Sequence, residues 1–153
     1  MTILCPLDFS AASAEVVTVA AALAVATGAE LRLLHVCEPQ EAPDNPRPGE
    51  AAPSDRVACA ERLNGLRTVA EQAGAGRVQI GIVRGEAAAE IVAEASRQQA
   101  DLIVIGAHGC TGITRFLMGT TAEIVLRTAA CATLLVRPPL QPETDAIPRT
   151  KAA

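Results

Sequence analysis

Short apolar runs alternate with longer helix-like segments along most of the chain, and this rhythm predicts strands and helices in turn. Thr2 to Leu7 is an apolar run too short for a helix and reads as a strand. Ser10 then opens an Ala- and Val-rich segment that reaches Thr27 and stops at Gly28, with an N-cap residue at one end and a C-terminal glycine at the other. Leu31 to Cys37 is a second strand, Ser54 to Ala73 a second helix followed by Gly74 and Gly76, and Val78 to Val83 a third strand. Glu86 to Gln99, Asp101 to Ile105, Thr120 to Ala130 and Thr133 to Val136 continue as helix, strand, helix and strand. Strict alternation of apolar, β-branched strands with helices predicts an α/β fold, a doubly wound five-stranded parallel sheet covered on both faces and joined by right-handed crossovers.

The prolines mark what lies outside this pattern. Five fall in Glu38–Pro53 and four in the tail from Pro138 to Ala153, where they remove backbone donors and forbid regular pairing. The expected organisation is one domain over residues 1–138, with 38–53 a proline-rich surface loop and 139–153 a loose tail. The loop reads as disordered, with a lid over a ligand as the alternative. No internal repeat is evident, and 153 residues suffice to bury one sizeable core.

Composition removes several classes of function. Apolar runs of about five to eight residues fall well short of the roughly 18 a membrane span needs. The start, Met1-Thr2-Ile3-Leu4-Cys5-Pro6, has no basic leader or cleavage pattern, so the expected compartment is the cytoplasm. A net charge of -4 argues against nucleic acid, and two Phe with no Trp or Tyr leave no platform for stacking bases. The only lysine is Lys151, so neither a Walker-type lysine nor a Schiff-base lysine is available. The five cysteines form no C-x-x-C pair, and with only His35 and His108 no zinc-ligand spacing appears. They read as buried, reduced thiols.

One segment carries chemistry. After the fourth strand the chain reads Gly106-Ala107-His108-Gly109, then nine residues, then Gly119-Thr120 and a helix. This G-x2-G-x9-G-[ST] spacing leaves from the carboxyl end of a strand, where open α/β sheets bind ligands. Glycines let backbone amides approach an anion closely, and a helix N-terminus favours phosphate. Thr120-x-x-Glu123 also fits a capping box, a role compatible with donating to a phosphate oxygen.

Over nearly its whole length the sequence resembles the universal stress proteins, specifically their ATP-binding branch. The likeness rests on Pro6-Leu7-Asp8-Phe9-Ser10, Leu34-His35-Val36 and Gly106 through Thr120. Ala122 to Arg127 and Leu134 to Pro138 look like the family's closing helix and strand. The resemblance implies strand order 3-2-1-4-5, the Rossmann-like architecture of adenine nucleotide alpha-hydrolases. It also implies ATP, or ADP or AMP, lying across the carboxyl edge of strands one, two and four. Adenine would bond to backbone near Val36, with Pro6 and Leu7 lining the base and Asp8 reaching the ribose. Amides at Gly106, Gly109, Gly119, Thr120 and Thr121 would hold the phosphates, with His108 positioned by the backbone of the same loop. Mg2+ would bridge the phosphates rather than occupy a protein cage, which suits a chain with no usable lysine. The family often has Ser at Ala107 and Pro at Ala132.

Other residues carry blander expectations. Asp8 could simply favour the first helix's N-terminus. His35 reads as a satisfied, partly buried side chain, Arg115 as a solvated loop cation and Cys110 as inert. No partner in the loop makes His108 a general base, so at most slow hydrolysis of bound ATP is expected. The apolar edge strand Thr133–Val136 needs covering, and a two-fold copy would cover it, as the family resemblance also implies. The leading expectation is therefore an ATP-binding homodimeric stress sensor or regulator, without nucleic-acid or membrane partners. The alternative is a nucleotide-free dimeric interaction module of the same family. Adenylate-forming or ATP-pyrophosphatase enzymes are disfavoured by the absence of S-G-G-x-D-S and H-x-G-H signatures.

Overall fold

A computed structural model of the chain describes residues 1–39, 53–107 and 118–137. The described elements follow the predicted order: β1 (Thr2–Pro6), α1 (Ser13–Thr27), β2 (Glu30–Cys37), α2 (Pro53–Gln72), β3 (Val78–Arg84), α3 (Ala87–Arg97), β4 (Leu102–Gly106), α4 (Thr120–Thr128) and β5 (Ala132–Val136). The five strands form one parallel sheet in the order β3-β2-β1-β4-β5, as the resemblance implies.

Side chains two apart on a strand share a face, and this period divides the core into two clusters. Ile3, Cys5, Leu31, Leu33 and Val104 pack beneath α1 and α2, together with Val17, Ala20, Ala21 and Leu63. Leu4, Leu34, Ile103 and Ile105 face the other way, onto Ala88, Ile91, Ala95, Ala122 and Val125 of α3 and α4. Central strands buried on both faces are the reason β1 and β4 read as continuous apolar runs. In α1 the buried stripe is made of small residues, Ser13, Val16, Val17, Ala20, Ala21 and Ala24, which lets the helix lie close to the sheet. In α2 the anchor is Leu63, fully buried, whose transfer from water contributes about 1.5–3 kcal/mol.

The caps of two helices differ from the sequence reading. Helix α1 begins at Ser13 rather than Ser10, with Ala12 at the N-cap and no side-chain cap. The Asp8 carboxylate accepts from the Ser10 amide at 2.9 Å, and Ser13 N–H donates to the Ser10 carbonyl at 3.0 Å, so residues 10–12 are spent in a turn. Helix α4 has Gly119, not Thr120, at its N-cap, so the Thr120–Glu123 capping box does not form. With Thr120 already inside the first turn, the Glu123 amide bonds the Gly119 carbonyl at 3.0 Å and its carboxylate pairs with Arg127 at 2.8 Å. The end of α1 matches the glycine signal: Gly28 is left-handed at φ 67°. Among the described residues no helix is long and apolar enough to cross a membrane.

Candidate functional site at the carboxyl edge of the sheet

Because all five strands are parallel, their carboxyl ends open on one edge, and the order β2-β1-β4 sets three of those ends side by side. Strand β1 ends at Pro6, and buried Leu7 continues its ladder by donating its amide to the Leu34 carbonyl at 2.8 Å. Val36 lies next to last in β2, half-buried and paired with Val83. Gly106 ends β4 opposite Val136, and the Ala107 amide donates to the Val136 carbonyl at 2.8 Å.

The start of α4 is tied to this edge. The Gly119 amide donates to the Ala107 carbonyl at 2.7 Å, fixing the first turn of the helix against the end of β4. Gly119 is extended at φ -61° and ψ 148°. The amides of the first helical turn, Thr120 and Thr121 among them, have no acceptor one turn earlier in the helix, and they carry the positive end of its dipole. Asp8 stands where the chain leaves β1: its Oδ1 accepts from the Ser10 amide and, at 3.4 Å, from the hydroxyl of buried Ser13. The expected role at the start of the first helix is thus partly real, since Asp8 holds the turn that precedes α1.

The structure therefore places Pro6, Leu7, Asp8, Val36, Gly106, Gly119, Thr120 and Thr121 at the ends of elements that open on the same edge. His108 and Gly109, with Cys110 and Arg115, lie outside the described residues, as do 40–52 of the proline-rich loop and the tail from 138. Sequence reasoning missed a supporting stack under this edge. The Nδ1–H of His35 donates to the Leu7 carbonyl at 2.8 Å, a direction fixed because a carbonyl can only accept. The His35 ring stacks on Phe9 at 4.2 Å between centroids, and the Arg62 guanidinium lies 4.5 Å from the Phe9 ring. Thus His35 is a satisfied side chain, as read from the sequence, and it also fixes the backbone at Leu7. The only signal for this in the sequence was its place at the end of β2.

The family model for the universal stress proteins matches residues 1–137. The chain belongs to that family. A universal stress protein of Methanocaldococcus jannaschii is 39% identical over 79 residues, covering 52% of this chain and 46% of the relative. A putative universal stress protein of Staphylococcus epidermidis is 36% identical over 84 residues, covering 54% and 51%. The match therefore spans about half the length of these curated relatives. Among solved structures, a universal stress protein in complex with cAMP superposes with a TM-score of 0.72 at 25% identity, covering 89% of this chain and 96% of the other. One from Archaeoglobus fulgidus in complex with dAMP gives 0.69 at 25% identity, covering 88% and 96%. These structural neighbours within the family bind adenine nucleotides.

Proposed function

We propose that this universal stress protein binds ATP, ADP or AMP at the carboxyl edge of β1, β2 and β4 and acts as a nucleotide-dependent sensor or regulator in the cytoplasm. The observation that carries this reading is the Gly119–Ala107 bond, which ties the start of α4 to the carboxyl end of β4. In this reading adenine bonds to backbone at Val36 and lies on Pro6 and Leu7, while Asp8 takes the ribose. Phosphates are held by amides of Gly106, Gly109, Gly119, Thr120 and Thr121, with His108 in the intervening loop. A triphosphate carries more negative charge than neutral amides offset, and in a net-acidic chain with no lysine before Lys151, Mg2+ would supply positive charge there. Family members solved with cAMP and dAMP support an adenine ligand.

The test uses the missing Trp and Tyr: bound adenine would dominate the near-ultraviolet spectrum of the native protein. Purified protein is denatured and the supernatant chromatographed, and protein that comes out empty is titrated calorimetrically with Mg-ATP. Near-stoichiometric ATP or ADP, or a saturable heat, is expected. An empty supernatant together with no heat would discard the nucleotide and leave the dimeric interaction module.

We also assign a homodimer through β5. Among the described residues this strand pairs only with β4, and Leu134 is 38% exposed on it. A second copy of Thr133–Val136 about a two-fold axis would pair the free backbone groups of both edges and cover the leucine. Sedimentation equilibrium at micromolar concentration should give twice the chain mass, and a single-chain mass would rule the dimer out.

A further inference from the structure

Strand β2 places three of its side chains in a row on the face covered by α1 and α2. Leu33, His35 and Cys37 are two residues apart, so all point the same way, whereas Leu34 and Val36 point toward α3 and α4. Helix α2 crosses that face, anchored by Leu63, and Cys59 stands one turn before Leu63 on the same side. The result is a cluster: one ligand atom each from His35, Cys37 and Cys59 lies within 4.8 Å of the other two. All three side chains are half-buried.

We propose that His35, Cys37 and Cys59 form a binding site for Zn2+, with a fourth position open to solvent. Two thiolates and an imidazole are the donors a borderline-soft d10 ion selects, and the mixed set fits a tetrahedral ion better than an oxygen-seeking one. Bonds of about 2.3 Å to sulfur and 2.0 Å to nitrogen require tetrahedral ligand atoms to sit roughly 3.5–3.8 Å apart. The cluster reaches that by closing at most about 1.3 Å, within the rotamer freedom of half-buried cysteines.

The hydrogen bond that orients the imidazole is already in place. Because Nδ1–H of His35 is committed to the Leu7 carbonyl, the lone pair sits on Nε2, the arrangement that fixes a metal-binding imidazole in tautomer and orientation. Phe9 stacked on the ring restricts its rotation. Nothing here activates Cys37 as a nucleophile: burial and the neighbouring Cys59 thiol, to which it is hydrogen-bonded, push its pKa up, against a smaller opposing pull from Arg84 and Arg56. A bound cation would reverse that balance by taking up the Cys37 thiolate directly, and Arg84 and Arg56 pull in the same direction. The site lies on the opposite face of β2 from the Val36 side chain, and it stands whether or not a nucleotide binds.

The test titrates metal-free protein, reduced with a non-thiol reductant, with Co2+ as a spectroscopic probe and then with Zn2+. Expected are a thiolate-to-cobalt charge-transfer band saturating at one equivalent and its loss on adding one equivalent of Zn2+. Affinity should fall as pH is lowered, because protons compete for both sulfurs. Cys59→Ser should weaken Zn2+ binding at least tenfold. His35→Asn keeps an N–H for the Leu7 carbonyl but deletes Nε2, so it should weaken binding similarly while retaining the thiolate band. In the unmodified chain, Zn2+ should protect Cys37 and Cys59 from alkylation and leave Cys131 reactive, a readout that does not depend on any variant folding. Absence of a thiolate band, undiminished binding in Cys59→Ser, or oxidation of Cys37 and Cys59 to a disulfide equally fast with and without Zn2+ would each overturn the site.

Discussion

Gly119→Val is expected to abolish tight Mg-ATP binding while leaving the fold intact. At φ -61° and ψ 148° Gly119 occupies extended backbone open to any residue, so valine introduces no left-handed strain. Its amide can still donate to the Ala107 carbonyl, and Glu123 can still bond the Gly119 carbonyl, so α4 should begin where it does now. What changes is the space in front of the helix: a branched side chain stands over first-turn amides that a phosphate oxygen must approach to about 2.9 Å. Each charge-assisted bond lost is worth roughly 1.5–3 kcal/mol, so losing two should weaken binding by at least about a hundredfold. Gly119→Ala should fall between, because one methyl obstructs less. Calorimetric titration with Mg-ATP measures the loss, and a thermal melt within a few degrees of the parent shows that folding was spared. An unchanged Kd would remove Gly119 from the site.

That the Gly119 prediction can be drawn at all reflects which features the sequence exposes. All nine elements were legible because short continuous apolar runs, as in β1 and β4, alternate with longer helical segments that stop at glycines such as Gly28 and Gly74. The strand order was not in that pattern, since alternation alone does not say which strands neighbour; it came with the family resemblance. Helix starts were less legible because they depend on single hydrogen bonds. Asp8 captured the Ser10 amide and delayed α1, and a one-residue shift at Gly119 turned an apparent capping box into an ordinary first turn. Contacts across the chain left no trace. Cys59 lies 22 residues beyond Cys37 (59 minus 37) in an element of different period, so no spacing rule could pair them, and only the register set by Leu63 brings them together. The same holds for Arg32, an apparent break in the apolar run of β2, whose partner Glu94 is 62 residues away.

Arg32 supports the second large effect. Arg32→Leu is expected to destabilise the fold by about 3 kcal/mol, toward the low end of the cost of breaking a buried ion pair. Glu94 is 3% exposed on α3, and its carboxylate accepts from Arg32 Nε and Nη2, both at 3.0 Å. The Arg32 side chain is only 18% exposed, bonds Gln79 at 3.1 Å through Nη1, and lies across Gly81, where an added Cβ would meet Nη2 at 3.0 Å. Removing the guanidinium leaves the carboxylate buried with a hydrogen bond from Gln98 at 3.1 Å and an ion pair to the half-exposed Arg97 at 3.3 Å, which is why the lower end applies. For a domain of this size the loss corresponds to a fall in Tm of roughly 6–12 °C. The double variant Arg32→Leu, Glu94→Leu separates the pair from its desolvation, because no charge is then stranded. It should recover most of the loss and approach the stability of the parent. Urea unfolding of the two single variants and the double variant gives the coupling, and a single variant within 1 kcal/mol of the parent would show that Arg97 and Gln98 alone satisfy Glu94.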